Sequence, residues 1–262
     1  LRPAKGYKGN ALNYKDNIDL VVFRENTEDL YCGVEFAPVP EEVAQVLAKH
    51  SKPFSVFNGL GADDFAINCK INTKKGSEKI IRAAFEFARQ NNRKKVTIVH
   101  KANVVRATDG LFFDIAKEVK KDYPEIQMDD ANIDAITMWL LKNPHNYDVL
   151  VATNLFGDII SDLCAQMVGG LGFGCSGNIG EKLAVFEPTH GSAPKYFGQY
   201  KVNPIATILA AKMMLEWLGE TELAEKVESA VARVIEEGKF KTYDMGGDTK
   251  TLEMAEAIAA YI

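Results

Sequence analysis

Arg24, Glu25, Glu28, Asp29 and Tyr31 fall within eight residues, directly after the apolar run Val21, Val22, Phe23. An arginine in such a place can hold a carboxylate through two parallel hydrogen bonds, and a tyrosine can donate a proton. Arg2 and Lys5 in LRPAKGYKG add positive charge upstream, and several such groups together suit a di- or tricarboxylate. The same residues also have plainer uses. Arg24 can pair internally with Glu25 or Glu28, and Tyr31 can be a core or interface aromatic with a bonded hydroxyl.

Three further stretches carry chemistry-bearing types. In NLFGDIISD (154–162), Asp158 and Asp162 lie one helical turn apart on one side of a helix that follows the strand-like YDVLVAT. Like charges at that spacing repel, whereas a hard divalent cation turns the repulsion into coordination. A solvated acidic face is the alternative. In VTIVHKANV (96–104), Lys101 and Asn103 follow another apolar run. A lysine beside a cation has its pKa lowered and can act as a base, although a solvated strand end has the same composition. His100 reads equally well as a satisfied, half-buried histidine. In FEPTHGSAPKYFGQYKVNP (186–204), backbone N–H groups can cradle phosphate with Lys195 beside them, or the loop is only structural. Gly172, Gly174 and Gly177 spell GxGxxG, but a helix precedes them and NIGE follows, so the strand-before, helix-after context of a dinucleotide fingerprint is missing.

These groups need elements to aim them. Apolar runs at 18–23, 65–71, 95–99 and 147–152 predict strands. Between them, Ile80, Ile81, Ala84, Phe87 and Ala88 recur at helical spacing in 74–91, with Thr73 as cap, and 107–121, 131–142 and 155–168 also predict helices. This alternation predicts an α/β fold with a largely parallel sheet. The segment 37–63, with its prolines and NGLGADD, breaks the rhythm as an insertion, and 169–181 predicts a Gly-rich hinge or loop. Asn203-Pro204 begins a helix, and helices at 221–237 and 250–261 follow.

The chain has 262 residues, 47% hydrophobic and 26% charged, with a net charge of −5. That balance argues against nucleic acid or an anionic membrane as the main partner. No apolar run reaches the roughly 18 residues of a membrane span, and no signal-peptide pattern opens the sequence. Cys32, Cys69, Cys164 and Cys175 show neither CxxC pairing nor zinc spacing, which predicts reduced thiols in a cytoplasm. Leu1 is not a methionine, so the sequence is expected to begin inside a longer one.

Taken together, LRPAKGYKG, FRENTEDLYCG, VHKANV, NIDAITM, NLFGDIISDLCAQMVGGLG and EPTHGSAPKYFGQYKVNP resemble the β-decarboxylating dehydrogenases, isocitrate dehydrogenase above all, in order and over essentially the whole chain. The resemblance implies a two-lobed α/β fold without a GxGxxG motif. Residues 1–30 and 66–168 would form a small substrate, metal and dimer domain, 31–65 a clasp-like insertion, and 169–262 the C-terminal part of a large cofactor-binding domain whose N-terminal part is missing. It further implies oxidative decarboxylation of isocitrate by NADP or NAD with Mg²⁺ or Mn²⁺. Arg2, Arg24 and Asn103 would bind substrate, Tyr31 would be the acid, Lys101 would help remove the hydroxyl proton, and Asp134, Asp158 and Asp162 would bind the metal. Lys101 and Asp134 would come from the second subunit of a homodimer. His190, Gly191, Ala193 and Asn203 would lie along the cofactor, with Lys195, Tyr196 and Tyr243 on the extra phosphate of NADP, although Gly247 stands where such members often place an arginine. Homoisocitrate or isopropylmalate dehydrogenase is the rival enzyme inside the family, and a non-catalytic subunit of a hetero-oligomeric isocitrate dehydrogenase or a bare Mg²⁺-dependent phosphotransferase the rivals of other classes.

Overall fold

The computed structural model describes residues 1–262 throughout. Its chain opens with β1 (Arg2–Lys5) and β2 (Asp19–Arg24), paired antiparallel with Arg2 opposite Val22. A 3₁₀ turn over Asp29–Cys32 leads to β3 (Glu35–Phe36), α1 (Glu41–His50) and β4 (Ile67–Asn68). β3 and β4 pair antiparallel, so the excursion between them leaves and returns at one place. Then follow α2 (Lys74–Gln90), β5 (Lys95–His100), α3 (Thr108–Lys120), β6 (Gln127–Asn132), α4 (Ile133–Lys142), β7 (Val149–Ala152) and α5 (Asn154–Met167). The main sheet runs β1-β2-β7-β5-β6, and every pairing except β1–β2 is parallel.

Amphipathic helices cover both faces of that sheet, as a parallel sheet requires. On one side α2 buries Ile81, Ala84, Phe85 and Ala88, and α3 buries Phe112, Ala116 and Val119, against Val96, Ile98, Val149 and Val151. On the other, Ile136 and Leu140 of α4 and Ile160 and Cys164 of α5 pack on Val22, Val99 and Leu150. A third core gathers around β8 (Cys175–Ile179), β9 (Ala184–Pro188), α6 (Ile205–Trp217), α7 (Thr221–Glu237) and α8 (Thr251–Ala259), centred on Ile205, Val231, Val234 and Met254. Thr73 caps α2 by accepting the Gly76 N–H at 3.0 Å. No helix is long and apolar enough to cross a membrane.

Four local expectations change. The apolar run 65–71 yields only the two-residue β4, because Phe65 packs with Phe54 and Phe57 inside the excursion rather than on the main sheet. β6 has the polar sequence QMDDAN. It is an edge strand whose Asp129 takes hydrogen bonds from Thr97 and Lys95, and hydropathy cannot see it. The predicted hinge 169–181 contains a strand, β8, which also removes the dinucleotide reading of Gly172, Gly174 and Gly177: a strand and not a helix follows. α6 begins at Ile205, one residue beyond Pro204, and the Asn203 side chain still caps it through the Ile205 N–H at 3.0 Å.

Candidate active site

Arg24 is the last residue of β2, beside Ala152 at the end of β7, and α5 starts two residues after that. Carboxyl ends of parallel strands and the start of a helix therefore meet at one point, the customary ligand position in α/β sheets. The helix comes close: a Cβ on Gly157 would lie 2.7 Å from Arg24 Cβ and Cγ. Arg24 Nη1 donates to Asp158 Oδ1, and its Nε donates to Asn154 Oδ1 at 2.8 Å. From β1, Arg2 Nη1 reaches Asp158 Oδ1 at 3.2 Å, Ser161 Oγ at 2.7 Å and Asp162 Oδ1 at 3.5 Å. Tyr31 donates its hydroxyl to Asp158 Oδ2 at 2.7 Å, with the Arg24 guanidinium 5.0 Å from its ring centre. Arg24 thus pairs with Asp158, not with Glu25 or Glu28.

The acids that crowd the same segment hold it in shape. Glu25 accepts from the Thr27 and Glu28 N–H groups at 2.9 Å each, and Glu28 accepts from the Thr73 N–H at 2.7 Å. Asn154 Nδ2 donates to the Glu28 carbonyl at 3.0 Å. Tyr31, outside this scaffold, is 53% exposed. Its hydrogen bond to the Asp158 carboxylate raises the phenol above its ordinary range, so it keeps its proton through neutral pH.

Lys101 and Asp134 form a second cluster. Lys101 follows β5, Asp134 lies in the first turn of α4, and the ammonium donates to Asp134 Oδ1, which lowers that carboxyl below its ordinary range. Asn103 is exposed in the turn after β5. His100 is a satisfied buried histidine: Nε2–H faces Asp130 at 3.1 Å, and Nδ1 accepts the Ala102 N–H at 3.0 Å. No three carboxylate, thiol or imidazole side chains converge as a cation cage within one chain. Asp134 therefore does not join Asp158 and Asp162 here. Those two lie on one helix face, Asp162 mostly open to solvent and Asp158 held by Arg2, Arg24 and Tyr31, so they fit Mg²⁺ or Mn²⁺ completed by other donors once Asp158 is released from those partners.

The third cluster lies beyond β9. His190 Nδ1 donates to the Gly191 carbonyl at 2.9 Å, leaving a buried Nε2 without a partner. Ala193 takes the left-handed conformation (φ 45°), a strain of about 1–3 kcal/mol that tends to persist at functional loops. Tyr196 and Tyr243 meet at 5.4 Å between ring centres. Lys195 lies 4.8 Å from the Tyr196 ring and holds that phenol below its ordinary range, while burial lifts Tyr243. Lys201 stands 4.8 Å from the Tyr243 ring and 5.7 Å from that of Tyr196. Neither lysine has a carboxylate partner, which fits an incoming phosphate. Asn203 is buried, with Nδ2 on Asp244 at 3.0 Å. A Cβ on Gly247 would sit 2.2 Å from the Lys241 carbonyl oxygen, so an arginine cannot occupy this backbone.

The sequence reading missed Lys201, Asn154, Ser161 and a polar hollow of about 300 Å³ lined by Arg2, Arg24, Asn26, Ser176, Asn178 and Glu187. Lys201 lay inside a quoted motif, five residues from Tyr196, but no periodicity separates it from a solvated lysine. A larger cavity of about 500 Å³ lies elsewhere, bordered by Tyr7, Phe87 and Trp217.

A mostly parallel sheet with its charged groups at the strand ends, and a glycine stretch that forms no dinucleotide fingerprint, defines an α/β enzyme scaffold outside the GxGxxG class. Residues 1–258 match the family model for isocitrate/isopropylmalate dehydrogenase, and the chain belongs to that family of decarboxylating dehydrogenases. It is 47% identical over 262 residues to the 3-isopropylmalate dehydrogenase of Archaeoglobus fulgidus, covering 100% of this chain and 72% of that protein. It is 45% identical over 251 residues to the homoisocitrate dehydrogenase of Methanocaldococcus jannaschii, covering 96% and 65%. The crystal structure of isocitrate dehydrogenase from Methylococcus capsulatus superposes with a TM-score of 0.87 at 43% identity, covering 99% of this chain and 71% of that one.

Proposed function

We propose that the protein oxidatively decarboxylates isocitrate to 2-oxoglutarate and CO₂ with a nicotinamide cofactor, NADP before NAD. One observation favours a tricarboxylate over isopropylmalate. The hollow beside Arg2 and Arg24 is lined almost wholly by polar groups, with Leu1 its one hydrophobic residue. A third carboxylate suits that lining, whereas the isopropyl group of isopropylmalate would strand its donors without partners.

Arg2 and Arg24 are the substrate clamps. Each holds Asp158 in the structure described above and exchanges that carboxylate for one of the substrate's, so no charge is left unpaired. Asp158 and Asp162, with the partner subunit's Asp134, would hold Mg²⁺ or Mn²⁺, which would supply Lewis acidity at the substrate hydroxyl and the ketone formed from it, with a bound nicotinamide as the hydride acceptor. The partner subunit's Lys101 takes the hydroxyl proton, and Tyr31 returns one to the carbon left by CO₂. Tyr31 already aims its hydroxyl at Asp158, beside the metal ligands, which supports the acid role.

A homodimer with shared sites is supported by the surface beside Asp134. There α4 exposes Met138, Trp139 and Leu141, and α5 exposes Ile159. His190 with its free Nε2, the Gly191–Ala193 loop and the Asn203 anchor form the adenosine side. The unpaired Lys195 and Lys201 over Tyr196 and Tyr243 favour the 2′-phosphate of NADP. Four free cysteines support a reducing compartment such as the cytoplasm. The test is a spectrophotometric assay of the native protein with isocitrate, homoisocitrate and isopropylmalate, each with NADP and NAD. The reading expects the highest kcat/KM with isocitrate and NADP, and preference for homoisocitrate or isopropylmalate would overturn it.

A further inference from the structure

Lys70, Asp29 and Asp109 form a buried ion triad whose side chains bond to no side chain assigned to the reaction. Both aspartates are fully buried and the Lys70 side chain nearly so. Lys70 Nζ lies 2.5 Å from Asp109 Oδ1 and 3.8 Å from Asp29 Oδ1, with Thr153 Oγ1 at 3.4 Å and the Phe156 ring centre at 4.5 Å. Two buried carboxylates against one ammonium leave a negative charge, and backbone donors answer it. Asp29 accepts the Leu30 N–H at 2.7 Å and the Leu155 N–H at 3.1 Å, and Asp109 accepts the Lys101 N–H at 2.7 Å. Leu155 lies in the first turn of α5 and Asp109 in the first turn of α3, where helix dipoles favour negative charge.

The three donors belong to different segments. Leu30 shares the 3₁₀ turn with Tyr31, Leu155 starts the helix that carries Asp158 and Asp162, and Lys101 is the proposed base itself. Asp29 takes a left-handed backbone conformation (φ 74°) to meet the triad, a strained choice for a residue other than glycine. Its own N–H returns to the Ile71 carbonyl at 2.8 Å, next to Lys70. Asp109 gives Oδ1 to the ammonium and Oδ2 to the Lys101 N–H, whereas Asp29 Oδ1 faces the ammonium and takes the Leu30 N–H while its Oδ2 takes the Leu155 N–H.

We infer that Lys70 is a positioning residue that, through Asp29 and Asp109, fixes the turn of Tyr31, the start of α5 and the backbone of Lys101 relative to one another. The inference rests on the proposed reaction for its kinetic consequence. Because Lys101 is read as serving the partner's site, one lysine then sets groups in both active sites of a dimer.

Replacing Lys70 with methionine in the native protein tests this. The folded variant should lose about a hundredfold in kcat, as a misplacement near 1 Å does, while KM for the acid substrate moves less than about threefold. In a Tyr31→Phe background the same change should cost less than about tenfold, since a mispositioned acid no longer counts. By amide hydrogen exchange, Leu30, Lys101 and Leu155 should exchange at least about tenfold faster, with Val99 and Val151 in the sheet unchanged. If Lys70→Met does not accumulate folded, Lys70→Met/Asp109→Asn removes one charge of each sign and carries the same kinetic and Leu30 and Leu155 exchange expectations. A folded variant with kcat within about twofold of wild type overturns the inference. So does exchange that accelerates evenly across the sheet and the three amides, or not at all. Exchange needs no turnover, so failure of the positioning role and failure of the proposed reaction leave different records.

Discussion

The cluster on Asp158 and the Lys101–Asp134 pair are both built from a cation against a carboxylate, yet they are anchored differently. Asp158 takes Arg2, Arg24 and Tyr31 at once, and Glu25, Glu28 and Asn154 lock the segment that delivers two of them. Its groups come from β1, β2, the 3₁₀ turn and α5, so most of the substrate side is assembled within one chain. The Lys101–Asp134 pair joins a strand end to the first turn of one helix, and its Asp134 side chain is 66% exposed beside the apolar surface of α4. In the proposed reaction the first cluster would supply clamps, cation ligands and an acid but no base, and the second a base and a cation ligand but no clamps. Each supplies what the other lacks, and a single chain does not bring all three aspartates together.

The sharpest way to break this division inside the first cluster is Tyr31→Phe. It removes only a hydroxyl, so the protein should remain folded while decarboxylation and protonation slow about 10²- to 10³-fold. Hydride transfer should suffer much less, because the proton is needed only after the ketone has formed. Oxalosuccinate supplied directly isolates the later steps. If the variant converts it to 2-oxoglutarate at the wild-type rate, Tyr31 is not the acid.

A smaller effect comes from the third cluster, whose cations have no carboxylate to satisfy them. Lys201→Ala removes one point charge that faces Tyr196 and Tyr243. The Kd for NADP should rise about tenfold, with a weaker salt dependence, and that for NAD by less than about twofold. Equal losses for both cofactors would mean that the tyrosine–lysine cage does not read the phosphate.

Much of this arrangement was legible from residue types. Arg24, Tyr31, Asp158 and Asp162 stand at strand ends or at helical spacing, where local pattern and chemistry coincide. α2, α3, α5 and α7 follow from apolar periodicity, each within a residue or two at its ends. β6 escaped because an edge strand can be polar, its aspartates bonded to Thr97, Lys95 and His100 on the neighbouring strand. Lys70 escaped for another reason: its partner Asp109 lies 39 residues away, and charge complementarity at that distance leaves no period to detect. Lys201 becomes meaningful only when the fold brings Tyr243 beside Tyr196. Long-range pairing of charges is the part of the site that local pattern could not reveal.

The division of labour itself is tested by subunit mixing. Asp158→Asn and Asp134→Asn should each abolish most activity and raise the Mg²⁺ requirement, since each removes charge from a hard-cation site. Equal amounts of the two variants are then mixed and allowed to exchange subunits. In a mixed dimer one site carries both lesions and the other carries neither. Random pairing makes about half the dimers mixed, so activity should recover to about a quarter of wild type. If exchange is demonstrated and activity stays at the level of the separate variants, Asp134 does not serve the partner's site and the account is wrong.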